Sequence, residues 1–171
     1  MWIDTHAHFD APEFDASRSQ DWARARELGV VAQVIPAVAP FNFATVREVA
    51  HAHEGSFYAL GIHPMYVMDL PREESISTLR AAIVSSLDDA RFVAVGEIGL
   101  DGFVTDLDWD TQVWFLREQL KLAREFDLPV LLHVRRAVDP VGKYLRKFGV
   151  PRGLAHAFNG SAVQAEVFVN M

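Results

Sequence analysis

Phe92-Val93-Ala94-Val95-Gly96-Glu97-Ile98 is a short, almost wholly apolar run, followed by a helical pattern from about Asp108 to Phe126 in which Val113, Leu116, Leu120 and Ala123 recur at three- and four-residue spacing. An apolar run without polar alternation is what a strand buried on both faces requires, and such strands belong to parallel sheets covered by helices. The single apolar stripe of the helix supplies the cover. Outward from this pair the same unit recurs. Runs at about Met1–His6, Val30–Val38, Phe57–Ile62, Phe92–Ile98, Val130–Val134 and Gly153–Phe158 predict six strands. Arg18–Leu28, Phe43–Glu54, Glu73–Leu87, Asp108–Phe126, Val138–Phe148 and Ala162–Met171 predict the helices between and after them, with Gly29 and Gly55 as stops. Strict strand–helix alternation defines an α/β fold built on a parallel sheet.

At 171 residues, half of them apolar, the chain suits one domain with a substantial core, spanning residues 1–171. No apolar run approaches the eighteen or so residues of a spanning helix, and Met1-Trp2-Ile3-Asp4 lacks a signal-peptide pattern, so the expectation is a cytoplasmic protein without membrane contact. The absence of cysteine leaves His, Asp and Glu as the available metal ligands, a set that suits Zn, Mn, Mg or Co. A net charge of −7 argues against broad attraction to nucleic acid. Locally the sign reverses: between Arg135 and Arg152 six cationic side chains face one acid, Asp139, and this patch can meet phosphate or be a solvated helix face.

In parallel α/β folds, functional groups collect at the carboxyl ends of the strands. Five of the seven histidines fall there: His6 and His8 after the first predicted strand, His63 after the third, His133 in the fifth and His156 in the sixth, with Glu97 in the fourth. On an extended chain the Cα atoms of His6 and His8 stand roughly 6.6 Å apart with both rings on one face, so one ion can take both. The second copy of the tripeptide, His51-Ala52-His53, is a control: it lies in a helical pattern, where residues two apart diverge by about 200°. A carboxylate such as Glu97 in an apolar strand is costly to bury unless paired or metal-bound. One arrangement accounts for the set: two ions bridged by Glu97, with His6 and His8 on one and His133 and His156 on the other, poised to activate a water for hydrolysis.

In this order, Asp4-Thr5-His6-Ala7-His8, Gly61-Ile62-His63-Pro64, Gly96-Glu97-Ile98-Gly99-Leu100-Asp101, His133-Val134-Arg135-Arg136-Ala137 and His156-Ala157-Phe158-Asn159-Gly160-Ser161 resemble the TatD-type metal-dependent deoxyribonucleases, a branch of the amidohydrolase-like (β/α)8 TIM barrels. The likeness runs along the whole chain. It implies a two-metal site held by His6, His8, Glu97, His133 and His156, with Glu97 as the catalytic bridge. It also implies phosphodiester hydrolysis, with DNA as substrate and exonuclease action from the 3′ end. His63 and Arg135 match positions near the scissile phosphate, and a guanidinium suits phosphate independently of the likeness. Asn159 and Ser161 offer further substrate contacts at a helix start. Asp4, earlier on the first strand than the histidines, reads as a residue that orients a ligand from behind. Asp101 shares strand parity with Glu97, and its alternatives are a similar supporting role or a plain loop carboxylate.

A barrel of this type has eight strand–helix units, of which six are read here, and the family's strand-eight aspartate has no counterpart. The expectation is a C-terminally truncated chain, incomplete as a domain, with open edges on strands one and six that invite self-association. Two further readings stand beside the nuclease: a metal-dependent amidohydrolase, lactonase or phosphotriesterase, and a non-catalytic fragment.

Overall fold

The computed structural model describes residues 1–150 and 152–171. Its strands are β1 (Trp2–Asp4), β2 (Val30–Pro36), β3 (Ser56–Leu60), β4 (Phe92–Asp101), β5 (Val130–Arg135) and β6 (Gly153–His156). The helices are α1 (Arg18–Glu27), α2 (Phe43–Ala52), α3 (Arg72–Ser86), α4 (Trp109–Glu125), α5 (Val138–Phe148) and α6 (Ala162–Val169). All six expected strand–helix units are present. Every strand pairs in parallel with its sequence neighbours, in the order β1-β2-β3-β4-β5-β6. The sheet curls as part of a barrel, which brings the rings of His6 and His156 into a stack with centroids 3.9 Å apart.

The main core lies between the sheet and its helices, where Ile35, Tyr58, Ile98 and Leu100 meet Val46, Leu79, Ile83, Phe115, Leu116, Leu120 and Val141, all buried. A smaller cluster of Ala59, Ala94 and Leu131, joined by Val34, Val93 and Leu154, contains no helical residue and marks the sheet's inner face. No helix among the described residues is long and apolar enough to cross a membrane.

The edges and one central strand depart from expectation. β1 ends at Asp4 rather than His6, and Trp2 and Ile3 are exposed because the strand has one neighbour. His6 and His8 therefore sit in the loop beyond β1, and the strand alternation expected to align them is not what aligns them. β6 is half-buried at most, where burial on both faces was expected. β4 continues three residues past Ile98, so Glu97 lies within the strand. Pairing of Gly99 with His133 and of Asp101 with Arg135 carries the extension, beyond a register shift between Val95 and Ile98 where the Gly96–Glu97 peptide is cis. A Cβ on Gly99, at φ +155°, would lie 2.0 Å from the His133 carbonyl oxygen, so only glycine permits this approach. Three 3-10 turns, Pro12–Phe14, Pro40–Asn42 and Pro64–Tyr66, were not anticipated; each starts on a proline, whose fixed φ suits a first helical position.

Candidate metal centre

Glu97, 1% exposed, is the hub at the C-terminal end of the sheet. Its Oε1 lies 2.9 Å from His133 Nδ1 and 3.4 Å from His63 Nε2. Its Oε2 lies 3.0 Å from His6 Nε2 and 3.4 Å from His8 Nε2. Two groups able to hold a metal ion share this carboxylate: His6, His8 and Glu97, and His63, Glu97 and His133. The imidazoles also face one another nitrogen to nitrogen, at 3.2 Å for His6 and His8 and 3.1 Å for His63 and His133. Two such nitrogens cannot both point a proton along the same line; at the first pair a cation can draw on both lone pairs, whereas at the second His63 Nδ1 accepts from the Met65 amide, so its Nε2 carries the proton and donates to His133 Nδ1. Oε2 of Glu97 is buried and receives no bond of hydrogen-bond geometry from either neighbour. The residues thus fit divalent metal, with imidazole and carboxylate donors of the kind Zn, Mn and Co accept.

Burial pushes the Glu97 carboxyl up, but close contacts with His133, His6, His63 and His8 outweigh it and hold the group well below the usual carboxylate range. The glutamate is therefore anionic and ready to ligate. Contact with Glu97 raises His8 despite its partial burial. Burial dominates at His63 and lowers it, favouring the neutral form. Burial also acts to lower His133, yet Glu97 and Asp101 together raise it.

Asp101 is the clearest supporting residue. The extension of β4 buries it, with Oδ2 2.9 Å from His133 Nε2, while Oδ1 accepts from the Phe103 and Val104 amides. It is fixed in turn by α4: the Gln112 Oε1 accepts from the Asp101 amide at 2.8 Å and its Nε2 donates to the Asp101 carbonyl at 3.2 Å. Two turns further along the same face, Gln119 clamps Ile62 in the same two-bonded way, at 2.7 and 3.0 Å, and so places the adjoining His63. Both glutamines are fully buried, and neither stood out in the sequence. The signal was there: two amides on the face that carries Leu116 and Leu120 must find polar partners once buried.

The other expected site residues are used differently. His156 lies outside both groups; its ring stacks on His6 and is 6.1 Å from His133, so His63 rather than His156 pairs with His133. Burial, then the neighbouring His6, lowers its basicity. Asp4 accepts from the His6 amide at 3.1 Å, holding the backbone and not an imidazole. Arg135 places its guanidinium over the Phe103 ring at 3.8 Å, and Arg136 lies over the same ring at 4.6 Å. The Asn159 side-chain Oδ1 accepts from the Arg136 amide. Ser161 caps α6 in a reciprocal box with Gln164, its hydroxyl oxygen accepting from the Gln164 amide. In the control pair the rings part: His51 lies 2.8 Å from Asp89, while His53 contacts the Val49 carbonyl and Ser19.

The model of the family described as TatD related DNase matches residues 3–171. A metal-dependent hydrolase of Escherichia coli K12, YjjV, is 42% identical over 99% of this chain and 65% of its own length. The 3′-5′ ssDNA/RNA exonuclease TatD of a Pantoea strain is 29% identical over 99% of this chain and 64% of its own. The crystal structure of the E. coli YjjV protein, a TatD homologue, superposes with a TM-score of 0.92 at 41% identity, covering 99% of this chain and 64% of that one. This curled parallel sheet, with its polar cluster at the carboxyl end, is part of a TIM-type barrel, and the chain belongs to the TatD related DNase family. It spans just under two thirds of the length of these relatives.

Proposed function

We propose that this chain carries the metal centre of a hydrolase that cuts phosphodiester bonds in DNA from the 3′ end. The observation that carries the reading is one buried carboxylate, Glu97, presenting an oxygen to each of two histidine groups. In this reading His6, His8 and Glu97 would hold one divalent ion, and Glu97 and His133, with His156 beside them, would serve a second. His63, whose Nδ1 accepts from the Met65 amide so that Nε2 carries the proton, would keep the phosphate contact. Such ions, when bound, would supply charge that acidifies a water and stabilises the leaving oxygen. The protein's own groups do the rest. Asp101 holds the His133 ring in one orientation, and Arg135, braced on Phe103 with Nη1 3.8 Å from Asp101, would offer its remaining donors to phosphate oxygens. The family membership and the name of the Pantoea exonuclease support nucleic acid as substrate.

The test is incubation of the chain with Mg, Mn or Zn and end-labelled single- and double-stranded DNA. Metal-dependent shortening from the 3′ end that disappears in Glu97→Ala is expected. Absence of metal-dependent cleavage by the parent would overturn the reading. His53→Ala is the control: it should cut as the parent does but lose about 1–3 kcal/mol of stability, because His53 is buried and joins α2 to α1.

A further inference from the structure

Two large aromatic rings at the rim of the site have no place in the core. Phe41 is 70% exposed and Tyr66 45%, and their ring centroids lie 5.8 Å apart. They come from successive 3-10 turns beyond the carboxyl ends of β2 and β3, the end of the sheet that holds Glu97. Tyr66 meets His63 edge to face at 6.1 Å, and His63 is in turn 3.4 Å from Glu97. The rings are held by rigid local structure. Asn42 is buried, accepts from the Val38 and Ala39 amides, and donates to Asp10. On the second turn, His63 Nδ1 accepts from the Met65 amide. Apolar surface fixed beside a polar cluster gains nothing for the fold, so it calls for a ligand with an apolar face. Across the strand ends, the guanidinium of Arg135 offers the charge that a phosphate needs.

We propose that Phe41 and Tyr66 form a stacking platform for an unpaired base of the strand being cut. The inference rests on the nuclease reading above and names the feature of the substrate that this rim selects. Every base has a π face, so the platform tolerates any sequence, but base pairing and stacking in a duplex hide that face. The substrate selected is therefore a single strand or a frayed 3′ end.

The experiment compares two short, labelled single strands with hydrolysis-resistant phosphorothioate linkages, in Mg²⁺, by fluorescence anisotropy. One strand carries bases throughout; the other has abasic sugars at its 3′ end. The parent should bind the base-bearing strand about tenfold more tightly. In the Phe41→Ala, Tyr66→Ala double variant this preference should collapse to near one, while Phe41→Trp and Tyr66→Phe should keep it. A parent without the preference, or a double variant that retains it, overturns the proposal. Phe41 is exposed, so Phe41→Ala alone takes the place of a double variant that does not fold: its preference should drop, and full retention overturns the proposal equally. Cleavage of an unmodified strand is read separately. A parent that shows the preference and does not cut loses the hydrolysis reading alone; one that cuts without the preference loses the platform alone.

Discussion

Asp101 and Glu97 grip His133 from its two ring nitrogens, so removing one partner should be felt through the other. Asp101→Asn keeps the size and loses the charge. It should lower affinity for Zn or Mn by about 10- to 100-fold, measured by calorimetric titration, with the thermal transition still cooperative. An unchanged affinity would reduce Asp101 to a turn-forming residue. At this scale much of the cluster was legible: an apolar strand with one carboxylate and histidines at recurrent strand ends point to a common centre. The contact between His63 and His133 was not. His63 joins His133 because the loop after β3 is pinned inward by Gln119, a contact between residues 57 positions apart. The bonds of Asn159 to the Arg136 amide and of Ser161 to the Gln164 amide were not legible either, because they follow from backbone geometry.

Elements set these residues by clamping backbone. Gln119→Met preserves volume but leaves the buried Ile62 amide and carbonyl without partners. It should cost about 1–3 kcal/mol for each in urea unfolding, and lower the cleavage rate by displacing His63. A second element contact predicts an acid response. Asp89, in the turn before β4, accepts from Arg47 of α2, Tyr58 of β3 and the Arg91 amide, and lies beside His51. Burial pushes its carboxyl up, but contacts with His51, the Arg91 amide and Tyr58 prevail and hold it well below its usual range. The folded-state value thus lies below the unfolded one. The contribution to stability is complete above the ordinary aspartate value of 3.8 and is lost as pH falls below it. Asp89→Asn should be less stable at neutral pH and show a shallower decline below about pH 4, read from urea midpoints across the acid range. Element type was well read from periodicity, and α5 matches at both ends. The misread boundaries are those set by neighbours: β1 is short for want of a second partner, and β4 is long because β5 continues to pair with it.

At the scale of the molecule, the strand order leaves β1 and β6 as edges. Trp2 and Ile3 are exposed on the first, and beside the second an apolar groove is lined by Leu145, Leu154, Phe158 and Phe168. Sedimentation velocity of this chain alone should show association that grows with concentration. A well-folded monomer at every concentration would sink that expectation. The number of units was readable from the alternation of apolar runs and helical patterns; the closeness of the two sheet ends, a property of the assembled sheet, followed only from the likeness to a closed barrel and from the shared histidine centre.

The stack of His6 on His156 has a consequence for how the molecule comes together. It joins the loop after the first strand to the end of the last, one of the longest chain closures in the fold. Contacts of such sequence separation carry the largest entropic cost and form after the local units that bring them within reach. The histidines that follow β1 therefore meet their distant partners late on the folding route, and the chelating geometry is a product of folding rather than its nucleus.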